Sequence, residues 1–184
     1  MEKKYLSANE LLKDAFQLAI QIYQSGWKPD LIIGIWRGGT PVAMAIHEYF
    51  DYVGILCEYG VIRTSSYLAI EKRANQIQIQ GLYDLIKSLD PNLNVLFVDD
   101  VFDTGRSIDA ILSEWTLGIG KAPPNDIKIA CPWYKPSRNL TTRIPDYFLH
   151  KTEDWLVFPH ELKGLTKKEI LLHKSAIANI IFPK

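Results

Sequence analysis

Apolar runs alternate with amphipathic stretches along the 184-residue chain. Ser7 and Glu10 have the spacing of a helix-capping box, ahead of an apolar helical face that reaches Ile22 and is closed by Gly26. The continuous apolar run at 30–36 is typical of a strand that is buried on both faces. A glycine turn and the helical stretch GGTPVAMAIHEYF follow it. The pattern therefore predicts a helix, a buried strand and a second helix in succession.

The same patterns continue through the rest of the chain. Strands are predicted at 53–59, 94–100, 126–134 and 146–150, and helices at 81–89, 106–118 and 166–180, the last beginning with a Thr166–Glu169 capping box. Residues 60–80 are polar with a weak alternation, which predicts a long loop or a hairpin. Strands that alternate with helices indicate an α/β fold with a mostly parallel, twisted sheet flanked by helices.

Composition narrows the class of protein. Hydrophobic residues form 47% and charged residues 23% of the chain, as in a globular protein with one domain and a sizeable core. Basic and acidic residues number 21 each, so the net charge favours neither nucleic acid nor a membrane surface as a partner. Cys57 and Cys131 lie far apart in apolar surroundings, which argues against a disulfide. The chain shows no apolar signal core and no run of membrane-spanning length, so a cytoplasmic protein is expected.

The stretch VLFVDDVFDTGRS, residues 95–107, carries an apolar strand directly into acidic residues. Carboxylates inside a strand buried on both faces would cost on the order of several kcal/mol unless they were paired. Asp99 and Asp100 are therefore expected at the carboxyl end of the strand, where open α/β sheets bind their ligands. Sugar hydroxyls and a divalent cation are the natural partners for two neighbouring carboxylates.

The DTGRS turn that follows has the features of a phosphate site. Thr104 and Ser107 supply hydroxyls, Gly105 permits close backbone approach, and a helix N-terminus offers unpaired amides. A helix end stabilises an anion by roughly 0.3–1 kcal/mol when exposed and up to about 2 kcal/mol when partly buried. Carboxylates can accept hydrogen bonds from the hydroxyls of a sugar, and the neighbouring anion site can hold a phosphate. Together these groups match a ribose 5-phosphate. The simpler alternative is an acidic turn that caps the next helix.

Residues 95–107 closely resemble the phosphoribosyl-pyrophosphate (PRPP) motif of the type I phosphoribosyltransferases. That motif is an apolar strand, two acids, two further residues, then Asp-Thr-Gly and a hydroxyl residue. The resemblance implies the type I fold, with a small hood over the carboxyl ends of the strands. It also implies that Asp99 and Asp100 hold the ribose hydroxyls. The 5-phosphate would be held by Asp103, Thr104, Gly105, Arg106 and Ser107.

The stretch IGIWRGGTP, residues 33–41, places an arginine and two glycines at the end of another strand. By itself the stretch could be a simple tight turn. It resembles the pyrophosphate loop of 6-oxopurine phosphoribosyltransferases, which implies pyrophosphate binding by Trp36, Arg37, Gly38 and Gly39. The resemblance also implies a non-proline cis peptide between Trp36 and Arg37.

The stretch IRTSSY, residues 62–67, resembles a second loop of these enzymes. Arg63 matches a position that meets pyrophosphate in some relatives. Ser66 and Tyr67 match a Ser-Tyr pair on a mobile loop that closes over the site and excludes water. Without the other motifs, an exposed Ser-Tyr pair would be interpreted as an ordinary loop.

Two stretches near the end of the chain resemble the purine pocket of hypoxanthine–guanine and xanthine–guanine phosphoribosyltransferases. In WYKPSR, Lys135 would donate to the purine O6; in EDWLVFPHE, Trp155 would stack on the base and the Leu156 backbone would contact its other edge. Outside this family, the lysine would be a solvated strand-end charge and the tryptophan a core residue. Val157 stands where the bacterial xanthine–guanine enzymes have an acid, so the resemblance leaves the 2-position preference open.

The resemblance implies a pentosyltransferase of purine salvage. It would transfer the 5-phosphoribosyl group from PRPP to N9 of hypoxanthine, guanine or xanthine, with Asp103 as general acid or base for the N7 proton. Mg²⁺ would be the cofactor, held by Asp99, Asp100 and Glu161, the last replacing an aspartate. Alternatives are a pyrimidine phosphoribosyltransferase, or a PRPP- or nucleotide-sensing regulator without catalysis. Residues 1–164 are expected to form the catalytic domain and 165–184 a helix on it or at a subunit interface, in a homodimer or homotetramer.

Overall fold

The computed structural model describes residues 3–66, 77–87, 89–118, 120–124 and 126–183. These residues form two compact units. The larger unit extends from Leu12 to Glu153, and the smaller one joins the beginning of the chain, up to Leu11, with the segment from Asp154 onward. The predicted hood and the predicted boundary at residue 164 stay predictions.

A seven-stranded sheet forms the centre of the larger unit. Its strands are β2 (Leu31–Trp36), β3 (Glu58–Ser66), β4 (Ile77–Gln80), β5 (Asn94–Val98), β6 (Val101–Phe102), β7 (Asp126–Tyr134) and β8 (Tyr147–Lys151). The order is β4-β3-β2-β5-β7-β6, and β8 also pairs with β7. The β3–β4 pair is antiparallel and the other described pairs of this sheet are parallel. The predicted α/β fold with a mostly parallel sheet is therefore confirmed.

Helices accompany this sheet along the chain. They are α1 (Ala8–Gln24), α2 (Gly39–Tyr52), α3 (Leu82–Ile86) and α4 (Arg106–Ser113), the last continued by a π-helical turn at Glu114–Gly118. Alternate residues of β2 and β5, such as Ile33 and Phe97, pack into one core with Ile111 and Trp115. The residues between them, such as Leu96, are also buried, so the central strands are covered on both faces as their apolar runs predict.

The predicted strand at 53–59 is wrong. Helix α2 continues to Tyr52, and the chain then turns at Gly54, whose φ of +76° lies in the left-handed region. Strand β3 begins only at Glu58, where it comes into register with Leu31 of β2. Its far end pairs antiparallel with β4. The described residues of 60–80 thus form the arms of a hairpin, one of the two predicted alternatives.

The smaller unit contains a two-stranded parallel sheet that the sequence patterns do not predict. It pairs β1 (Lys3–Tyr5) with β9 (Trp155–Val157). The single helix predicted after Thr166 is wrong, because the segment forms two helices, α5 (Lys167–His173) and α6 (Ser175–Ile181).

The two short helices of the smaller unit meet at Lys174, whose backbone leaves the helical region. Its buried ammonium donates to the carbonyl oxygens of Phe158 (2.7 Å) and Pro159 (3.1 Å). Burial lowers the pKa of Lys174. The capping box from Thr166 to Glu169 is present as predicted. Lys174 therefore interrupts the helix because its side chain is committed to a neighbouring turn.

Two further expectations are tested by the described residues. Cys57 and Cys131 are free thiols, as predicted, although Cys57 is only half-buried. Among the helices in the described part of the chain, none combines the length and apolar character needed to cross a lipid bilayer.

Candidate active site

The acidic residues lie at the carboxyl end of β5, as the sequence predicts. Asp99 donates its amide to the Ala130 carbonyl on neighbouring β7 (3.1 Å), and its Oδ1 accepts from the Asp100 amide (2.9 Å). Burial raises the pKa of Asp99 well above its usual range, and the Asp100 carboxylate raises it further. A ligand that donates hydrogen bonds or brings positive charge would relieve this unfavourable pairing.

The glycine loop between β2 and α2 lies directly against these acids. A Cβ atom on Gly38 would overlap the Asp100 carboxylate, and one on Gly39 would overlap the Val98 carbonyl and lie 2.7 Å from the Asp99 Cα. Only glycine leaves room for this approach. The predicted cis peptide between Trp36 and Arg37 is present at the start of the loop. Two loops distant in sequence therefore form one continuous backbone surface.

Strand pairing brings Arg63 to the same edge of the sheet. In the parallel β2–β3 register, Arg63 lies opposite Trp36, which is the residue before Arg37. The side chains of both arginines are exposed. Arg37 directly follows β2 and Arg63 lies in β3 beside the end of β2, so the two cations form a suitable surface for a polyanion. Ser66 is the last residue of β3, and Tyr67 lies outside the described residues.

The DTGRS turn opens helix α4 as predicted. Gly105 precedes the helix with a φ of +75°, and Arg106 is its first residue. A Cβ atom on Gly105 would lie 2.5 Å from Thr141 Oγ1, so the loop after β7 supports the turn from one side. The Arg106 amide lies 3.5 Å from Thr104 Oγ1. The turn thus presents the N-terminus of an eight-residue helix beside a hydroxyl group.

Backbone hydrogen bonds connect the loop after β7 to the residues on either side of Asp103. The Lys135 amide donates to the Phe102 carbonyl (2.9 Å), and the Leu140 amide donates to the Thr104 carbonyl (3.0 Å). The Lys135 side chain is only 5% exposed, and its ammonium makes no hydrogen bond or ion pair with the residues that the structure describes. An ammonium that ends a buried residue and has no partner among the described residues is suited to a ligand acceptor.

Arg138 is a site residue that sequence patterns did not reveal. Its Nε lies 2.6 Å from Asp103 Oδ1. A loop arginine carries no local signal of such a contact, because the partner lies 35 positions earlier in the chain. Only the pairing of β6 with β7 brings the two segments together.

Three predicted site residues belong to the smaller unit. Trp155 is 55% exposed, which excludes the core role that an isolated tryptophan would suggest, whereas Leu156 is buried. Glu161 Oε2 accepts from the Phe158 amide (3.1 Å). Base stacking, base-edge contact and metal binding by these three residues stay predictions.

The carboxylates at the end of β5 fit a magnesium ion that arrives with a phosphorylated substrate. Mg²⁺ is commonly held by one or two carboxylates together with substrate phosphates and water. Asp99 and Asp100 supply two such groups, and burial together with the neighbouring Asp100 carboxylate raises the pKa of Asp99, which a bound cation would lower again. Within the described residues, no group of three or more acidic, histidine or cysteine side chains could hold a metal by itself.

The chain is similar to several known proteins, including the following three. A purine phosphoribosyltransferase structure from Pyrococcus horikoshii is 32% identical, with a TM-score of 0.67, over 90% of this chain and 98% of that chain. The bifunctional protein PyrR of Corynebacterium diphtheriae is 27% identical over 88% of both chains. A hypoxanthine-guanine phosphoribosyltransferase of Streptococcus mutans is 23% identical over 82% of this chain and 79% of that protein.

The family assignment follows from a match that covers most of the chain. The model of the phosphoribosyl transferase domain matches residues 2–164. This range includes the acidic strand end, the glycine loop and the DTGRS turn. The chain therefore belongs to the phosphoribosyl transferase family, a family of pentosyltransferases, and has its type I fold.

Proposed function

We propose that this chain transfers the 5-phosphoribosyl group of PRPP to N9 of a 6-oxopurine, with release of pyrophosphate. The observation that carries the choice of base is the placement of Lys135. Lys135 is a buried residue whose ammonium has no partner in the described part of the chain, and its backbone is bonded to Phe102, next to Asp103. A 6-oxopurine presents O6 and N7 on one edge, so a lysine and a carboxylate carried by neighbouring backbone segments match that edge. A pyrimidine ring has no N7.

The remaining groups match the rest of PRPP. Asp99 and Asp100 would accept hydrogen bonds from the two ribose hydroxyls, and the amides that open α4 would hold the 5-phosphate. Arg37, the Gly38–Gly39 amides and Arg63 would hold pyrophosphate. Mg²⁺, held by Asp99 and Asp100, would supply positive charge to the pyrophosphate oxygens. Glu161 stays a further candidate for this ion.

The chain's own contribution to the reaction is positioning and electrostatic stabilisation. As the bond from ribose C1 to pyrophosphate breaks, C1 gains oxocarbenium character, and Arg37 and Arg63 stabilise the departing charge. N9 attacks from the opposite face and inverts the anomeric centre. The Asp103 carboxylate accepts the proton that leaves N7, while Lys135 donates a hydrogen bond to O6.

Other parts of the proposal rest on the sequence resemblance. Stacking of the base on Trp155 would contribute about 1–3 kcal/mol. Leu156 would contact the base through its backbone, and Ser66 with Tyr67 would belong to a loop that excludes water from the reactive sugar. A homodimer or homotetramer and a role in purine salvage also stay predictions.

A pyrimidine transferase, or a regulator that binds PRPP or a nucleotide without turnover, could use the same ribose and phosphate groups. The Lys135–Asp103 arrangement favours the purine reaction, because a binding regulator has no need of a carboxylate at N7.

A product assay tests the proposal. The purified chain with Mg²⁺ and PRPP is offered hypoxanthine, guanine, xanthine, adenine and uracil separately, and nucleotide formation is followed by chromatography. We expect product from at least one 6-oxopurine. Product from uracil instead would refute the assignment of the base pocket. Tight PRPP binding without product from any base would refute the enzyme and favour the regulator.

A further inference from the structure

The contact between Asp103 and Arg138 places one carboxylate oxygen inward and leaves the other accessible. Asp103 Oδ1 has essentially no exposed surface, makes no aligned hydrogen bond within the described residues, and lies 2.6 Å from Arg138 Nε. The Asp103 side chain is nevertheless 34% exposed. Its exposed surface therefore lies on the remaining atoms, Oδ2 among them. The arginine thus holds the carboxylate by its buried oxygen.

Arg138 is itself held on a short, tethered segment. It ends a 3-10 turn at Pro136–Arg138, and its amide donates to the Lys135 carbonyl (3.2 Å). The Ser137 amide donates to Glu153 Oε1 (3.3 Å), and the Ser137 hydroxyl donates to Glu153 Oε2. The Glu153 carboxylate therefore fixes the turn that carries the arginine.

Backbone hydrogen bonds also fix the segment that carries Arg138 relative to Asp103. The bonds from Lys135 to Phe102 and from Leu140 to Thr104 join the two segments on both sides of the pair. The backbone position from which the Arg138 side chain extends is therefore fixed relative to Asp103. These backbone bonds distinguish the Asp103–Arg138 pair from an ordinary surface ion pair, whose two side chains are free to separate.

We propose that Arg138 is a positioning residue for the proton transfer, an inference that rests on the proposed function. It anchors Asp103 Oδ1, so that Oδ2 faces the base and accepts the proton from N7. The proton passes from N7 to Oδ2, its electron pair stays in the purine ring, and the guanidinium keeps its own protons. Arg138 acts through Asp103 and does not contact the base.

The alternative role for Arg138 is a direct contact with a phosphate of PRPP. The two roles differ in what their loss changes. A phosphate contact contributes to the binding of PRPP, independently of Asp103. A positioning contact contributes to kcat and has no effect once the Asp103 carboxylate is gone. A double-mutant cycle separates the two roles.

The test compares the wild-type chain with Arg138→Gln, Arg138→Lys, Asp103→Asn and the double variant Asp103→Asn/Arg138→Gln. The matched control is Arg143→Gln, which removes a similarly exposed arginine of the same loop whose Nε lies 3.2 Å from Asp109 Oδ1. Each variant is assayed for kcat, for the KM of both substrates and for PRPP affinity by calorimetry. Thermal melts show whether each variant is folded.

We expect Arg138→Gln to lower kcat by about 10- to 100-fold, because general-base geometry is lost, with PRPP affinity changed by less than about twofold. Arg138→Lys should recover part of kcat, since the contact uses one nitrogen and an ammonium supplies one. The double variant should be no slower than Asp103→Asn. Arg143→Gln should behave as wild type.

Several outcomes overturn the inference alone: wild-type kcat in Arg138→Gln, a loss of PRPP affinity that accounts for the whole effect, or losses that multiply in the double variant. Equal losses in Arg143→Gln would also overturn it, because the effect would then belong to the loop and not to Asp103. If the wild-type chain forms no nucleotide from any 6-oxopurine, the proposed function fails and the inference fails with it.

Discussion

Gly39→Ala tests whether the close approach of the glycine loop to the acidic strand end is required. The new Cβ would overlap the Val98 carbonyl and lie 2.7 Å from the Asp99 Cα, and both neighbours are backbone atoms that cannot rotate away. Because ordinary contacts begin at 3.4 Å, the two loops must separate by at least about 0.7 Å. The substitution therefore displaces the glycine loop relative to Asp99 and Asp100.

The size of the effect follows from this displacement. A misplacement of about 1 Å costs on the order of 100-fold in rate, so kcat/KM for PRPP should fall by about that factor, equivalent to about 2.7 kcal/mol. Overpacking should also destabilise the fold by about 1–3 kcal/mol, which lowers Tm by about 2–12 °C in a chain of this size.

The assay measures PRPP-dependent nucleotide formation, PRPP affinity by calorimetry and Tm. The matched control is Gly26→Ala, at a position with a φ of +81° and no atom within 4 Å of the added Cβ. Backbone strain there should cost roughly 1–2 kcal/mol of stability without moving a site residue. Wild-type kcat/KM in Gly39→Ala would refute the required contact. An equal loss of kcat/KM in Gly26→Ala would trace the effect to stability instead.

Three further predictions address other parts of the chain. Gly105→Ala adds left-handed backbone strain and a contact of 2.5 Å with Thr141 Oγ1, so PRPP affinity measured by calorimetry should fall about 5- to 30-fold; unchanged affinity would remove this turn from the phosphate site. Lys135→Met removes a charged donor worth about 1.5–3 kcal/mol, so KM for the base should rise about 10- to 150-fold with PRPP affinity retained. Its control is Lys128→Met on β7, the strand that ends just before Lys135; Lys128 pairs with Asp146. Contacts with Lys3, Thr166 and Tyr5 lower the pKa of Glu169 from 4.5 to about 2, so its contribution to stability is present above about pH 4.5 and is lost as the pH falls toward 2. Melts of Glu169→Gln should show a smaller loss of Tm over that range, and equal losses in both proteins would contradict this assignment.

Features that depend on neighbouring residues were predictable from the sequence. The capping boxes at Ser7 and Thr166 formed because each requires only a hydroxyl residue and an acid three positions later. The acidic strand end was predictable because an apolar run leads directly to Asp99 and Asp100. The turn at Gly105 and the helix α4 that follows it were predictable because both depend on adjacent residues of one short segment.

Errors arose where a local pattern competed with distant partners. The apolar residues after Tyr52 resemble a strand, but β3 begins only where Glu58 meets Leu31 in the parallel register. The helix after Thr166 breaks at Lys174, because its ammonium binds carbonyls 15 and 16 positions away. Leu31 lies outside the segment 53–59, and the Phe158 and Pro159 carbonyls lie outside the segment 166–180, so neither local pattern contains its partner.

Most helices and strands of the larger unit, and the residue types of the candidate site, could be predicted from the sequence because periodicity, capping and motif spacing act over a few residues. Tertiary structure alone decided which of these groups meet. Parallel pairing joins strands that lie far apart along the chain, and this pairing sets Gly39 against Val98 and Arg138 against Asp103. The residue types of the candidate site therefore come from short sequence segments, and their relative positions come from contacts between segments that are distant along the chain.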